Sequence, residues 1–346
     1  MGQSGDMSET RPVVILQPAP QRTARIFGPA SLAALRESFR VVDLEDVADP
    51  DRFDDVLPEA VAIIGQPDLP RERLLRAARL RAICNVEGNF FPNVDYATCA
   101  ELGVYVLGCG PAYAQAVAEH SLGLAIDLAR GISREDRAFR TGSERYVADG
   151  NADAILLRGA DIGLIGFGNL GRALLPLLQA FAPTIRVFDP WLPDSVLREQ
   201  GLEPGTLAEV LAASTFVFVL ATVTAESEHL LGAAELDLLR PGSRLVLVSR
   251  AAVVDFDALL SRLAAGRFLA AVDVWPSEPM PPDSPFRDLD NLVFSGHRAG
   301  GIPAAFTRIG ELVVDDLRQI AAGLPPVRMQ VAARELVTRY RNRPVT

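Results

Sequence analysis

Lysine is missing altogether from this chain of 346 residues, whose 34 basic side chains are all arginine. That excludes Schiff-base catalysis and the phosphate-binding lysine of a P-loop. Cysteine is scarce: Cys84, Cys99 and Cys109 have no CxxC spacing. Neither a zinc site nor a disulfide framework is expected, only buried thiols in a reducing compartment. No apolar run, "TFVFVLATV" among the longest, nears the roughly 18 residues needed to span a membrane. The first ten residues, "MGQSGDMSET", lack the apolar stretch of a secretion signal. They read as a frayed tail, and a cytoplasmic location follows by default. A net charge of −10 argues against a nucleic-acid partner, because phosphate neutralisation needs a concentrated basic face.

What the chain has is alternation. Short apolar runs, "VVILQ" (13–17), "RVVDL" (40–44), "AVAIIG" (60–65), "LRAIC" (80–84) and "GVYVLG" (103–108), are separated by helical stretches. A second series starts near residue 155: "DIGLIG", "TIRVFD", "TFVFVL", "RLVLVS", "LAAVDVW" and "NLVFSG". Continuous apolar strands between helices predict an α/β chain with two doubly wound parallel sheets, each covered on both faces. The length suffices for two cores. "RERLLRAARLR" (71–81) reads as one amphipathic helix with a solvated arginine face. Residues 112–139 read as one long helix between the two series, able to bridge lobes or meet a second subunit. Residues 304–323 read as a helix returning to the first lobe.

The strongest local motif is "DIGLIGFGNLGRALLPLLQAFAPTIRVFDPW". A strand at Asp161–Ile165 runs into Gly166, Phe167, Gly168, Asn169, Leu170 and Gly171, a helix follows, and Asp189 ends the next strand. Gly166 permits the tight turn, Gly168 lets a pyrophosphate approach the backbone, and Gly171 lets helix and strand pack closely. The helix N-terminus offers free N–H groups to the phosphates. Asp189 accepts from ribose hydroxyls and repels a 2′-phosphate, which favours NAD over NADP. Pro176 inside the helix predicts a kink or local rearrangement.

Later strand ends deliver polar residues to one sheet edge, where open α/β sheets bind ligands. Arg250 follows "LVLVS", Asp273 and Glu278 follow "LAAV", and His297 follows "NLVF". An arginine can clamp a carboxylate bidentately, and a histidine can move an alcohol proton near neutral pH. A carboxylate beside that histidine favours imidazolium and holds its orientation. His120 reads as a structural hydrogen-bonding residue and His229 as a surface residue.

With "AVAEHSLGLAIDLAR", "DIGLIGFGNLGRAL", "VFDPW", "LVSRAAVVD", "AVDVWPSEP" and "GHRAG" in order, residues 80–305 resemble the D-2-hydroxyacid dehydrogenase family. The resemblance implies a Rossmann NAD domain, residues 113–304 with the bridging helix, inserted into a flavodoxin-like substrate domain, residues 1–112 and 305–346. It implies a cleft active site, NAD as cofactor, a small 2-oxo or 2-hydroxy acid as substrate, and a homodimer built around the bridging helix. Arg250 is then the substrate arginine, His297 the acid/base and Glu278 its partner carboxylate. Glu87, Gly88 and Asn89 join Arg250 in holding the substrate. Thr222, Val248, Ser249, Asp273 and Gly300 join the glycine turn in holding the cofactor, with Asp273 toward the nicotinamide.

The chain departs from the family at several positions. Phe90 replaces the second glycine of the carboxylate-binding loop, which predicts a large apolar wall and a reshaped pocket. Tyr113 stands where asparagine is common, and Glu278 where formate-oxidising members have glutamine, so formate oxidation is excluded. Thr222 stands for a proline and Ala251 for a glycine. Arg298 is an extra cation that a phosphorylated substrate would want, or one half of a surface salt bridge. The residues after 323 are too few for a regulatory domain. Two other readings stand beside the dehydrogenase: an NAD(H)-sensing binding protein with vestigial catalysis, and an NADP-preferring reductase, which Asp189 disfavours.

Overall fold

The computed structural model describes residues 11–47 and 51–341, so the tail expected at residues 1–10 lies outside the described residues. Strands β1 (Val13–Gln17), β2 (Arg40–Asp43), β3 (Ala60–Gly65), β4 (Ala82–Asn85) and β5 (Tyr105–Gly108) come first. They are followed by β6 (Asp161–Ile165), β7 (Thr184–Phe188), β8 (Glu203–Pro204), β9 (Phe216–Val219), β10 (Arg244–Leu247), β11 (Leu269–Val272) and β12 (Leu292–Phe294), with β13 (Gln330–Val331) last. The chain divides into two compact units: one holds the residues up to Tyr113 and from Ile302 onward, the other Ala114 to Gly301.

The first unit's sheet runs β13-β5-β4-β3-β1-β2. All pairings are parallel except the short edge strand β13, which lies antiparallel to β5. Without β13 this is the 2-1-3-4-5 order of flavodoxin-like folds. Successive β1 residues face opposite sides: Val14 and Leu16 join one core with Ala62, Ile64 and Cys84, while Val13 and Ile15 join another with Ile63 and Ile83. Both faces are therefore dry, which is why these strands read as unbroken apolar runs. Helix Pro303–Ala321 packs on one face so closely that a Cβ at Gly310 would lie 2.6 Å from the Ile26 carbonyl oxygen.

The second sheet is parallel throughout and runs β12-β11-β10-β9-β6-β7-β8. Counted from β6 this is the 3-2-1-4-5-6 order of dinucleotide-binding domains with one strand added, and the order reverses between β6 and β9. Parallel pairing puts every strand's C-terminal end at the same edge.

Two helical expectations change. The helix expected at 71–81 stops at Arg76. Leu80 is buried, and the Arg81 N–H donates to the Val61 carbonyl at 2.8 Å, so the sheet claims the last residues. The helix expected at 112–139 is two helices, Gly110–Arg130 and Ile132–Thr141, separated by Gly131 at φ +67°. A left-handed residue cannot continue a right-handed helix. Helix Asn169–Gln179 passes through Pro176, which is exposed, and ends three residues later.

Candidate active site

The C-terminal edge of the second sheet carries the glycine turn first. Gly166 follows β6 at φ +93°, and a Cβ there would lie 2.9 Å from the Ala221 backbone beyond β9. Only glycine fits both conformation and space. A Cβ at Gly171 would lie 2.9 Å from the Phe167 ring and 3.1 Å from the Gly166 carbonyl oxygen, whereas at Gly168 it would meet nothing within 4 Å. Gly168 is also the N-cap of helix Asn169–Gln179 and, being glycine, brings no capping side chain of its own. An open backbone leading into a helix N-terminus suits a pyrophosphate. Asn169, Leu170 and Gly171 form the first turn of that helix.

Asp189 follows β7 and has a task that sequence reasoning missed. One carboxylate oxygen accepts from the Phe167 N–H at 2.7 Å and the other from the Trp191 N–H at 3.0 Å. The acid expected to face a ribose thus also ties down the glycine turn. Each oxygen keeps a second lone pair for a ligand. Thr222, past β9, accepts the Ser227 hydroxyl on its carbonyl at 2.6 Å.

Past β10, Val248 and Ser249 are buried, and the Ser249 hydroxyl has no hydrogen-bond partner. The Arg250 guanidinium donates to the Ser249 carbonyl at 2.7 Å and is half-buried. Past β11, Asp273 is only 1% exposed. Its carboxylate accepts from the Arg298 N–H at 3.0 Å, the Ala299 N–H at 3.2 Å and the Ser295 hydroxyl. Its own carbonyl accepts the His297 N–H at 2.6 Å. Gly300, half-buried, closes this loop.

The structure brings Glu278 and His297 together. Glu278 is pinned by the Trp275 N–H, which donates to one carboxylate oxygen at 2.9 Å. The other oxygen lies 2.6 Å from His297 Nδ1. Both side chains keep about a third of their surface in solvent, 31% and 29%. His297 sits at φ +50°, a backbone region that costs a non-glycine residue about 1 kcal/mol or more. Arg250, Asp273 and His297 follow the ends of three adjacent parallel strands. His229 is exposed, as expected.

In the first unit, Glu87 is buried and its N–H donates to Gln66 at 3.0 Å. Gly88 faces the Tyr113 ring, 3.4 Å from where a Cβ would stand, and Asn89 follows it, half-buried. The wall expected from Phe90 is corrected. Phe90 is 5% exposed and packs against Gly108, Tyr96 and Tyr340, because the ring gains more from the core than from a polar loop. Tyr113 is the aromatic group that meets Gly88, set edge-on to Phe306. Burial pushes the thiols of Cys84 and Cys109 far up and that of Cys99 to about 12, so they offer no nucleophile. Among the described residues no helix is long and apolar enough to cross a membrane.

Residues 122–299, all in the second unit, match the model of the NAD binding domain of the D-isomer specific 2-hydroxyacid dehydrogenases. The chain belongs to that family. This D-2-hydroxyacid dehydrogenase family member is similar along nearly its whole length to a phosphoglycerate oxidoreductase from Rhizobium etli. They share 44% identity and a TM-score of 0.85, over 94% of this chain and 99% of the other. It is 29% identical to a D-3-phosphoglycerate dehydrogenase of Archaeoglobus fulgidus over 77% of its own length and 50% of that protein's. It is 28% identical to a glyoxylate reductase of Thermofilum pendens, over 87% and 91%. The chain thus spans about half the length of the first curated relatives it matches.

Proposed function

We propose that the protein is an NAD(H)-dependent oxidoreductase that interconverts a 2-oxo acid and a D-2-hydroxy acid. The observation that carries this reading is the His297–Glu278 contact at 2.6 Å, set on the same sheet edge as the glycine turn. When bound, NADH supplies a hydride from its nicotinamide, and NAD takes one back in the reverse direction. Gly166, Gly168, Asn169, Leu170 and Gly171 hold its pyrophosphate, Asp189 its ribose, and Thr222, Val248, Ser249, Asp273 and Gly300 its nicotinamide half.

Glu278 occupies Nδ1 of His297, which leaves Nε2 as the ring nitrogen for substrate. In reduction the protonated Nε2 gives its proton to the carbonyl oxygen, and in oxidation the unprotonated Nε2 takes the hydroxyl proton. Glu278 holds the ring orientation and balances the imidazolium. Arg250 holds the carboxylate with two parallel N–H bonds and draws electron density from the adjacent carbonyl. Glu87, Gly88 and Asn89 are the further substrate contacts. A small 2-oxo acid such as glyoxylate, hydroxypyruvate or its 3-phosphate is the substrate class. The test is loss of NADH absorbance with a panel of such acids, and no turnover of any would sink the reading.

A homodimer is part of the same proposal. Ile132, Phe139, Tyr146, Val147 and Leu156 expose between 53% and 84% of their surface on and just after helix Ile132–Thr141. Phe139 and Tyr146 pair edge-to-face. Exposed apolar side chains gathered in one stretch of the chain are what an association surface would use.

A further inference from the structure

A hydrogen-bonded chain outside the catalytic pair reaches the loop that carries His297. His120, on helix Gly110–Arg130, places Nε2 3.0 Å from the Ser295 hydroxyl oxygen. That hydroxyl contacts Asp273 Oδ1, which also accepts the Arg298 N–H; Oδ2 accepts the Ala299 N–H. The Ser295 carbonyl is fixed as well, by the Trp275 indole N–H at 2.8 Å. A serine hydroxyl has one proton to give. With that proton directed to Asp273, the oxygen can only accept from His120, so Nε2 carries a hydrogen. The chain therefore runs one way, from the imidazole through the hydroxyl to the carboxylate.

The loop it ends on carries His297 at φ +50°. Residues on both sides of His297 are tied to Asp273, Ser295 before it and Arg298 and Ala299 after it. We propose that His120 and Ser295 are positioning residues: they orient the Asp273 carboxylate, which holds the loop in the left-handed bend that presents His297 to Glu278. This rests on the reading of His297 as the acid/base. A chain that served only to anchor helix to loop would leave His297 where it is when cut.

Having only three histidines makes the test direct, because selectively labelled imidazoles give three assignable NMR signals. Ser295→Ala and His120→Leu delete the chain, whereas Ser295→Thr keeps a hydroxyl and His120→Gln keeps a donor. The deletions are expected to move the His297 signal in the nucleotide-free protein and to lower kcat between about tenfold and a hundredfold. The KM for NADH changes less than kcat does, because the glycine turn that would hold the pyrophosphate is untouched and only Asp273, toward the nicotinamide half, is disturbed. The two conservative variants return both readouts to wild type. The His297 signal decides: if it stays in place in the deletions, or shifts as far in the conservative variants, the proposal is overturned. Should Ser295→Ala fail to fold, the His120 pair decides alone, His120 being 30% exposed. Absence of turnover in the wild type would defeat the dehydrogenase reading while leaving the signal to judge the positioning.

Discussion

Replacing single glycines in the turn after β6 separates folding from nucleotide binding. In Gly166→Ala the new methyl stands 2.9 Å from the Ala221 backbone at φ +93°. The left-handed conformation alone costs about 1–2 kcal/mol, and the backbone contact adds to it. In a unit the size of Ala114–Gly301, 1 kcal/mol lowers Tm by about 2–4 °C, so the melt is expected to fall by about 2–8 °C or more. In Gly168→Ala the methyl meets nothing within 4 Å, and the nucleotide-free Tm should stay within about 2 °C of wild type. Its cost appears only when a pyrophosphate has to lie where the methyl now stands. We expect the Kd for NADH to rise at least about tenfold, or about 1.4 kcal/mol. Differential scanning fluorimetry without nucleotide and calorimetric titration with NADH read the two quantities. Wild-type NADH affinity in Gly168→Ala would refute the reasoning, because the phosphates then do not cross this backbone. An unchanged melt for Gly166→Ala would refute the steric half.

Further outcomes follow from other parts of the molecule. Asp316 is fully buried and accepts the N–H groups of Val327, Arg328 and Met329 at 2.7–2.9 Å; Asp316→Ala strands three donors and should cost about 3 kcal/mol or more in urea unfolding, whereas a loss under 1 kcal/mol would show that segment to be held by other means. The three thiols should ignore Ellman's reagent at pH 8 in the folded protein and react once it is denatured, since burial raises their pKa values; rapid reaction of the native protein contradicts their burial. Because the folded-state value of Cys99 lies above its ordinary 9.0, its contribution to stability is full below pH 9 and is lost as pH rises through about 12. A urea midpoint that does not fall over that alkaline range counts against it. Val147→Glu places a charge on the most exposed residue of the apolar patch, 84% exposed, and should shift a dimer toward monomer in sedimentation; an unchanged assembly puts the interface elsewhere.

Two parallel sheets could be anticipated because sheets buried on both faces need unbroken apolar runs, and β6 with its glycines is such a run ending in a turn only glycine can make; the order of the strands within each sheet is not written in those runs. Gly131 did not announce itself: glycine inside a helical pattern costs only about 1 kcal/mol, so a break and a tolerated residue look alike. Phe90 was placed in the correct loop but on the wrong side, since a sequence does not say which way a loop side chain turns. The Glu278–His297 pair was legible from its position after two neighbouring strands. The His120–Ser295 bond joins residues 175 apart, and no local spacing encodes it. Asp189 and Asp273 were read as ligand contacts, yet each also ties down backbone N–H groups of the loop that follows a neighbouring strand. An acid that anchors a loop and an acid that meets a ligand look alike in a sequence, and only the structure shows the anchoring.

The most direct test of the central claim is the kcat of His297→Ala with NADH and the best 2-oxo acid found for the wild type, with the Kd for NADH measured alongside. Loss of the proton donor should lower kcat by about a hundredfold or more and leave NADH affinity intact. Turnover at the wild-type rate would contradict the account, because the imidazole held by Glu278 would then have no part in the chemistry.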